Sequence, residues 1–395
     1  MRNRAIAYIL NYFPGDAEPF VINEIKGLQK EGVDIVVFPI HKRGLSGRDA
    51  NTEGIEAIYA DPVFSSKIMM AHFYYLFRKP TIYVELLLKS IVLEGKKAFL
   101  AGVYYARAIE KMGIRHVHAH FAWDAADCAR IIKKLTNIPF SLSVHAKDIY
   151  CFNEGLEEKL MESRFIITCV KNNKTYVGEK FGQLIEQKIH VIYHGVDMER
   201  FTPRVMAKQD IDILCIGNFV EKKGLFNLIE ACGLVKKEGF EFKCSIIGKG
   251  PQKNELLSMI KERGLEEYIQ ILKEYCHEEL LSIYSKSKIF VLPSVIANNG
   301  DRDGIPNVLA EAMAMELPVI STDLPNITEL IENGETGLLI PSKNPEKLAQ
   351  AIKTLLVNDA LRRRLGKNAR EKIVKDFDIS KHIQRIAELF FKATR

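Results

Sequence analysis

The stretch NNGDRDGIPNVLAEAMAMELPVISTD, from Asn298 to Asp323, runs from a charged loop through an apolar helical pattern into a strand of β-branched residues. Proline at a first helical position presets φ where an amide would go unpaired anyway, so Pro306 predicts a helix from Pro306 to Met315. Gly304 just before it permits a close backbone approach. LPVISTD then reads as the end of a buried strand. Loop, helix and strand in this order form the repeating unit of a parallel sheet covered by helices.

Outward from this stretch the same alternation fills most of the chain. In the first half, strands are expected at Ala5 to Leu10, Asp34 to Pro39, His116 to His120, Phe140 to His145, Phe165 to Val170 and His190 to His194. The pattern loosens near YHGVDMERFTPRVMAKQD, which contains Pro203, and a fresh strand IDILCIGNF follows. A boundary there gives domains 1–203 and 204–377, with 378–395 as a C-terminal helix able to pack back on the first domain. In the second half KCSIIGKG, YIQILKEY, KIFVLPS and TGLLIPS read as further strand ends, with helices around Leu225 to Glu238 and Pro251 to Arg263. The expected fold is α/β, two doubly wound Rossmann-like domains facing across a cleft, with ligands at the carboxyl ends of the strands.

Composition removes several classes. A chain of 395 residues exceeds what one core usually serves. A hydrophobic content of 47% and a charged content of 27% exclude disordered and fibrous proteins. The net charge of +6 suits an anionic ligand or surface but is too small and too scattered for nucleic acid. Seven cysteines without a C-x-x-C pair fit a reducing, cytoplasmic setting. The start, MRNRAIAYILNYF, has too short an apolar run for a signal peptide. PTIYVELLLKSIVLEGKKAF is broken by Glu85 and Lys89 and does not read as a membrane span. Without G-x-G-x-x-G after the first strand or G-x-x-x-x-G-K-[ST] anywhere, dehydrogenase and P-loop readings fail.

The chemistry-bearing residues are fewer. Amides of Asn307, Val308 and Leu309 at the start of the expected helix would form an anion site. Glu311, a carboxylate within an apolar helix, needs a partner, either a ribose hydroxyl or a neighbouring loop to cap. His116, His118 and His120 alternate along one strand, a spacing that spreads ligands too far for one metal ion. They are expected instead to pack beneath the strand end, with His120 at the rim near an acceptor pocket. Neither metal nor cofactor is expected. Aromatics beside Arg78, Lys79, Lys96 and Lys97 form an amphipathic stretch suited either to an anionic bilayer or to an ordinary helix pair.

DGIPNVLAEAMAMELPVISTDLPNITELIENGETGLLIP resembles the carboxylate-x7-Glu region of the family 4 retaining glycosyltransferases of GT-B fold, with Asp303 and Glu311 at the paired positions. IGNFVEKKGLFNLIEA, IIGKGPQKNEL and VIYHGVDMERFTP follow the family's order. FPGDAEPFVINEIKGL, HVHAHFAWDAADCA and SVHAKDIY are similar to the subgroup that builds colanic acid and other bacterial exopolysaccharides.

The resemblance implies sugar transfer from a nucleotide-diphosphate donor, such as a UDP- or GDP-sugar, to a growing, lipid-linked glycan, without a metal. Glu311 would bind the donor ribose; Asp303, with Gly304, Ile305 and Pro306, would face the sugar; Lys223 would neutralise the diphosphate. His145 would sit at the reacting centre, its bland alternative being a satisfied core histidine. Gly15, Glu18 and His120 would lie on the acceptor side. Two positions depart from the family: Asp303 stands where Glu is usual, and Asn218 where Arg is usual. The latter keeps open a nucleotide-sugar-binding partner subunit without transfer activity; a nucleotide-sugar epimerase is a further alternative. The implied location is the cytoplasm, with peripheral contact on the inner membrane face left open.

Overall fold

The structure, a computed structural model, describes residues 5–14, 19–43, 52–60, 65–92, 95–151, 155–203, 209–273 and 277–395. The chain divides into two compact units. The first comprises residues up to Cys169, Asn173–Ile192 and Ser380–Arg395; the second comprises Val170–Asn172 and Tyr193–Ile379. The second unit therefore begins at Tyr193, ahead of the polar segment around Pro203, and the helix Ile379–Thr394 is counted almost wholly with the first.

The first unit holds one parallel sheet of seven strands. They are β1 (Ala5–Pro14), β2 (Asp34–Arg43), β3 (Glu56–Ala57), β4 (His116–His120), β5 (Phe140–Val144), β6 (Ile166–Thr168) and β7 (Ile189–Val191). Their order is β3-β2-β1-β4-β5-β6-β7. The second unit's parallel sheet has six: β8 (Ile211–Ile216), β9 (Cys244–Ile247), β10 (Ile269–Leu272), β11 (Ser287–Leu292), β12 (Val319–Thr322) and β13 (Leu338–Ile340). Its order, β10-β9-β8-β11-β12-β13, runs outward from a central pair in the same way. In each sheet the order reverses at one place, between β1 and β4 and between β8 and β11, and loops leaving the two strands there diverge to opposite faces.

Strands buried on both faces read as apolar runs, as β8 and β11 do beyond their first residues: Ile213, Leu214, Cys215, Ile289, Phe290, Val291 and Leu292 are all fully buried. Apart from the two-residue strand β3, which the sequence pattern does not announce, the strands differ from the sequence-based expectations only at their ends. β1 and β2 run four residues further than expected, and β5 stops at Val144, leaving His145 as the N-cap of the short helix Ala146–Tyr150. Pro306 is likewise an N-cap. Its ψ of 120° is extended, so the helix is Asn307–Ala314 rather than Pro306–Met315. The helix buries Leu309, Ala310, Ala312, Met313 and Ala314 against the second unit's sheet.

Candidate functional site

In the second unit two loops leave the sheet at its point of reversal. The loop after β8 carries Gly217 and Asn218, then one turn of 3-10 helix, Glu221–Lys223. The loop after β11 runs from Pro293 to Pro306. Gly224 ends the 3-10 turn at φ +64°, a left-handed backbone that favours glycine. Space demands glycine as well: a Cβ there would lie 1.9 Å from the Pro293 carbonyl oxygen. A Cβ at Gly248, after β9, would lie 2.0 Å from the Gly217 carbonyl oxygen. The loops are thus packed main chain against main chain. Lys223 folds its stem back over Gly217, where a Cβ would come within 3.4 Å of Cδ.

This brings Lys223 and Asp303 together. The Lys223 ammonium donates to both carboxylate oxygens of Asp303 at 2.8 Å, and the Ser294 hydroxyl donates to Oδ2 at 3.0 Å. Lys222 bonds Asp301 at 3.1 Å and stands 3.9 Å from Asp303. Asn326 is buried; its amide nitrogen donates to the Asp303 carbonyl at 2.9 Å, and its Oδ1 has no partner among the described residues. Lys223 and Asp303, assigned above to different parts of a donor, form one ion pair.

At the helix start, the Pro306 carbonyl accepts from the Leu309 amide at 3.0 Å and the Ala310 amide at 3.4 Å. The Leu309 amide is therefore spent within the chain, which corrects its assignment to the anion site. The Asn307 and Val308 amides have no partner among the described residues, so two donors and the helix dipole remain for an anion. Glu311 does not cap a loop. The Tyr284 hydroxyl donates to its Oε2 at 2.9 Å, while Oε1 has no partner among the described residues. Burial raises the Glu311 carboxyl above the usual carboxylate value, with the Tyr284 bond and the Arg200 charge pulling it down. Asn218 is exposed, and its side chain bonds nothing among the described residues.

In the first unit the expected residues separate. Gly15 and Glu18 lie outside the described residues. His145 follows β5, half-buried, with Phe121 at 4.7 Å, Phe20 at 5.3 Å and the parallel ring of His120 at 6.0 Å between centroids. Its backbone amide donates to Asp148 Oδ2 at 2.7 Å, and Oδ1 accepts the Ala122 amide at 3.0 Å. Asp148 is fully buried, and burial raises its carboxyl to about 6 against the pull of those two amides. Lys159 completes the brace by donating to the Ala122 carbonyl at 2.8 Å. The braced turn contains Phe121 at φ +71°, a strained conformation for an aromatic residue.

His120 is not at a rim; it is 1% exposed and bonds Glu24 Oε1 at 2.9 Å, an atom that also accepts the Tyr8 hydroxyl at 2.8 Å. His116 and His118 are fully buried and share the Ser141 hydroxyl at 2.8 Å each; His118 also meets the Ser143 hydroxyl at 3.0 Å. Ligating atoms of Glu24, His118 and His120 lie within 4.8 Å of one another, close enough to serve an ion. Both nitrogens of His118 are nevertheless engaged by serines, and burial holds its imidazole neutral.

Known proteins bear on this arrangement. The family model for "Glycosyltransferase Family 4" matches residues 17–200, and that for "Glycosyl transferases group 1" matches residues 199–372. The chain belongs to the family 4 glycosyltransferases. WcaL of Escherichia coli (strain K12), named for colanic acid biosynthesis, is 37% identical over 49% of this chain and 48% of its own length. That match spans about half of WcaL. AmsK of Erwinia amylovora, an amylovoran biosynthesis glycosyltransferase, is 26% identical over 97% of this chain and 98% of its own. These relatives support the exopolysaccharide subgroup expected from the sequence. Among solved structures, Anabaena HepE in complex with UDP-glucose has a TM-score of 0.70 at 17% identity, covering 98% of this chain and 99% of HepE. The fold is GT-B.

Sequence reading missed Tyr284, Ser294, Asn326, Glu24 and Asp148. Asp148 left a signal, since a carboxylate three residues after His145 has capping-box spacing. Tyr284, 27 positions before its partner Glu311, left none.

Proposed function

We propose that this chain transfers a sugar from a nucleotide-diphosphate donor, a UDP- or GDP-sugar, to a growing glycan, lipid-linked in the exopolysaccharide setting, with retention of anomeric configuration and without a metal. One observation carries the reading: among the described residues of the second unit a half-buried lysine, two unspent helix amides and a half-satisfied carboxylate stand at the sheet's point of reversal. Diphosphate departure needs positive charge where negative charge develops, and fixed donors supply it without reorganising. Lys223 is such a donor once it releases Asp303, and the Asn307 and Val308 amides add two more. Oε1 of Glu311 is free to accept a ribose hydroxyl while Tyr284 holds Oε2. Asp303, released by Lys223, keeps the Ser294 hydroxyl and turns its other oxygen to the sugar. The solved complex of HepE with UDP-glucose supports the choice of donor class. His145, held by the Asp148 brace, would position the reacting groups from the first unit. The subgroup supports the choice of a glycan acceptor and of a cytoplasmic location.

The test is a screen of UDP- and GDP-sugars that reads released nucleotide with and without glycan acceptors, repeated with Glu311→Ala. Release that depends on one donor and falls at least about tenfold in the variant supports the reading; undiminished release in folded Glu311→Ala removes the donor site assigned here. The exposed side chain of Asn218, without a partner among the described residues and standing where the family usually has Arg, favours a second reading, a nucleotide-sugar-binding subunit without transfer. Calorimetric binding with no turnover on any acceptor would select it.

A further inference from the structure

Two consecutive helices of the first unit turn apolar faces to solvent. In the helix Ser66–Arg78, Ile68, Ala71 and Tyr75 are buried, and the opposite face presents Met69, Met70, Phe73 and Phe77 at 49, 61, 54 and 81% exposure. In the helix Pro80–Val92, Val84, Leu88 and Ile91 stand at 43, 58 and 53% exposure, again on one face by their spacing. Seven of the twelve large apolar side chains exposed among the described residues fall in these two helices. Such concentration marks a surface that something covers.

Charge says what. Between 65 and 92 the chain carries Lys67, Arg78, Lys79 and Lys89 against one acid, Glu85. That acid is neutralised where it stands, 3.0 Å from Lys89 and 3.5 Å from Lys134. The next helix opens with Lys96 and Lys97, both exposed. His72 adds no charge, because burial lowers its imidazole's affinity for a proton. Apolar side chains rimmed by cations match the boundary of an anionic bilayer, where rings and thioethers sit among acyl chains and lysine stems reach back to phosphates. A second copy of this chain fits less well, since self-complementary pairing would set the cationic rim against itself. No helix among the described residues is long and apolar enough to cross a membrane, so the contact is one of lying on the surface.

We propose that the paired outer faces of Ser66–Arg78 and Pro80–Val92 form a docking face for an anionic lipid surface. The inference stands on these side chains alone and is independent of the sugar-transfer reading. Its test is co-sedimentation of the full chain with phosphatidylcholine vesicles with and without phosphatidylglycerol. The chain is expected to pellet with the anionic vesicles and far less with the neutral ones. The double variant Phe73→Ser/Phe77→Ser should bind at least about tenfold more weakly with an unchanged thermal midpoint, both rings being exposed. Arg78→Glu/Lys79→Glu should lose about tenfold or more and much of the preference for anionic lipid. Wild-type chain that stays in the supernatant, or variants that pellet as it does, would overturn the proposal. So would self-association that Phe73→Ser/Phe77→Ser abolishes while vesicle binding is absent, which would assign the face to a second copy.

Discussion

β4 in the first unit and β11 in the second occupy equivalent places, each beside its sheet's point of reversal, yet they handle polarity in opposite ways. β4 brings three histidines into the sheet itself, where Ser141, Ser143 and Glu24 meet them and almost no solvent reaches. β11 is apolar over Ile289–Leu292, its Ser287 and Lys288 lying at the opposite end of the strand, and the polar groups of the site come in the loop beyond, at Ser294 and Asp303. Groups satisfied by the chain have little left to offer a ligand. Groups placed past the strand end keep unspent capacity: two amides, one carboxylate oxygen, and a lysine held by a partner it can exchange.

The contrast can be broken from either side. The largest effect is expected at Lys223. Lys223→Ala should lower sugar transfer by about 10²–10³-fold in kcat, the scale for removing one fixed donor at a developing charge, while leaving the unfolding midpoint little changed; equal loss of both would make the lysine structural. Asp148→Ala belongs to the buried side: with the Ala122 and His145 amides left unpaired, urea denaturation should reveal a loss of about 2–4 kcal/mol, and retention of wild-type stability would show that the brace is dispensable. Ser141→Ala should cost about 1–3 kcal/mol by orphaning nitrogens of His116 and His118, with donor affinity by calorimetry unmoved. Asn218→Arg should tighten donor binding by about 1 kcal/mol, or roughly fivefold, through a charge-assisted bond.

A pH series sharpens the same contrast. Burial raises the Glu311 carboxyl above the ordinary range, so its ionised, hydroxyl-accepting form prevails above the shifted value and is lost as pH falls through it. Donor affinity should therefore weaken on acidification sooner than an ordinary carboxylate would allow, and Glu311→Gln should flatten that limb. A limb unchanged in Glu311→Gln would place the titration elsewhere.

Much of this was legible beforehand because strand and helix periodicities are local. β4 was found to the residue, and helix Leu225–Lys237 to within one. Pro306 was misplaced by one position because its fixed φ suits an N-cap and a first helical residue alike; only ψ separates them, and that one step removed the Leu309 amide from the anion site. His120 was misread for a different reason: alternation says which side of a strand a residue faces, but not that a glutamate some hundred positions earlier will reach it. The Lys223–Asp303 pair was missed although both residues were singled out, since their contact is created by the strand order between β8 and β11 and by no feature near either residue.

The glycine packing around that pair has a bearing on how this chain can be re-engineered. Gly224 and Gly248 each touch the carbonyl of another loop, so a side chain at either one demands that a second segment move as well. Neither site is open to single-step change, whereas Asn218 is exposed on the same frame and Arg302, whose Nε donates to the Gly300 carbonyl at 3.2 Å, stands in the loop after β11. A library that varies those two side chains and leaves the glycines fixed should return folded variants with altered donor preference; one that varies the glycines should return few folded proteins at all.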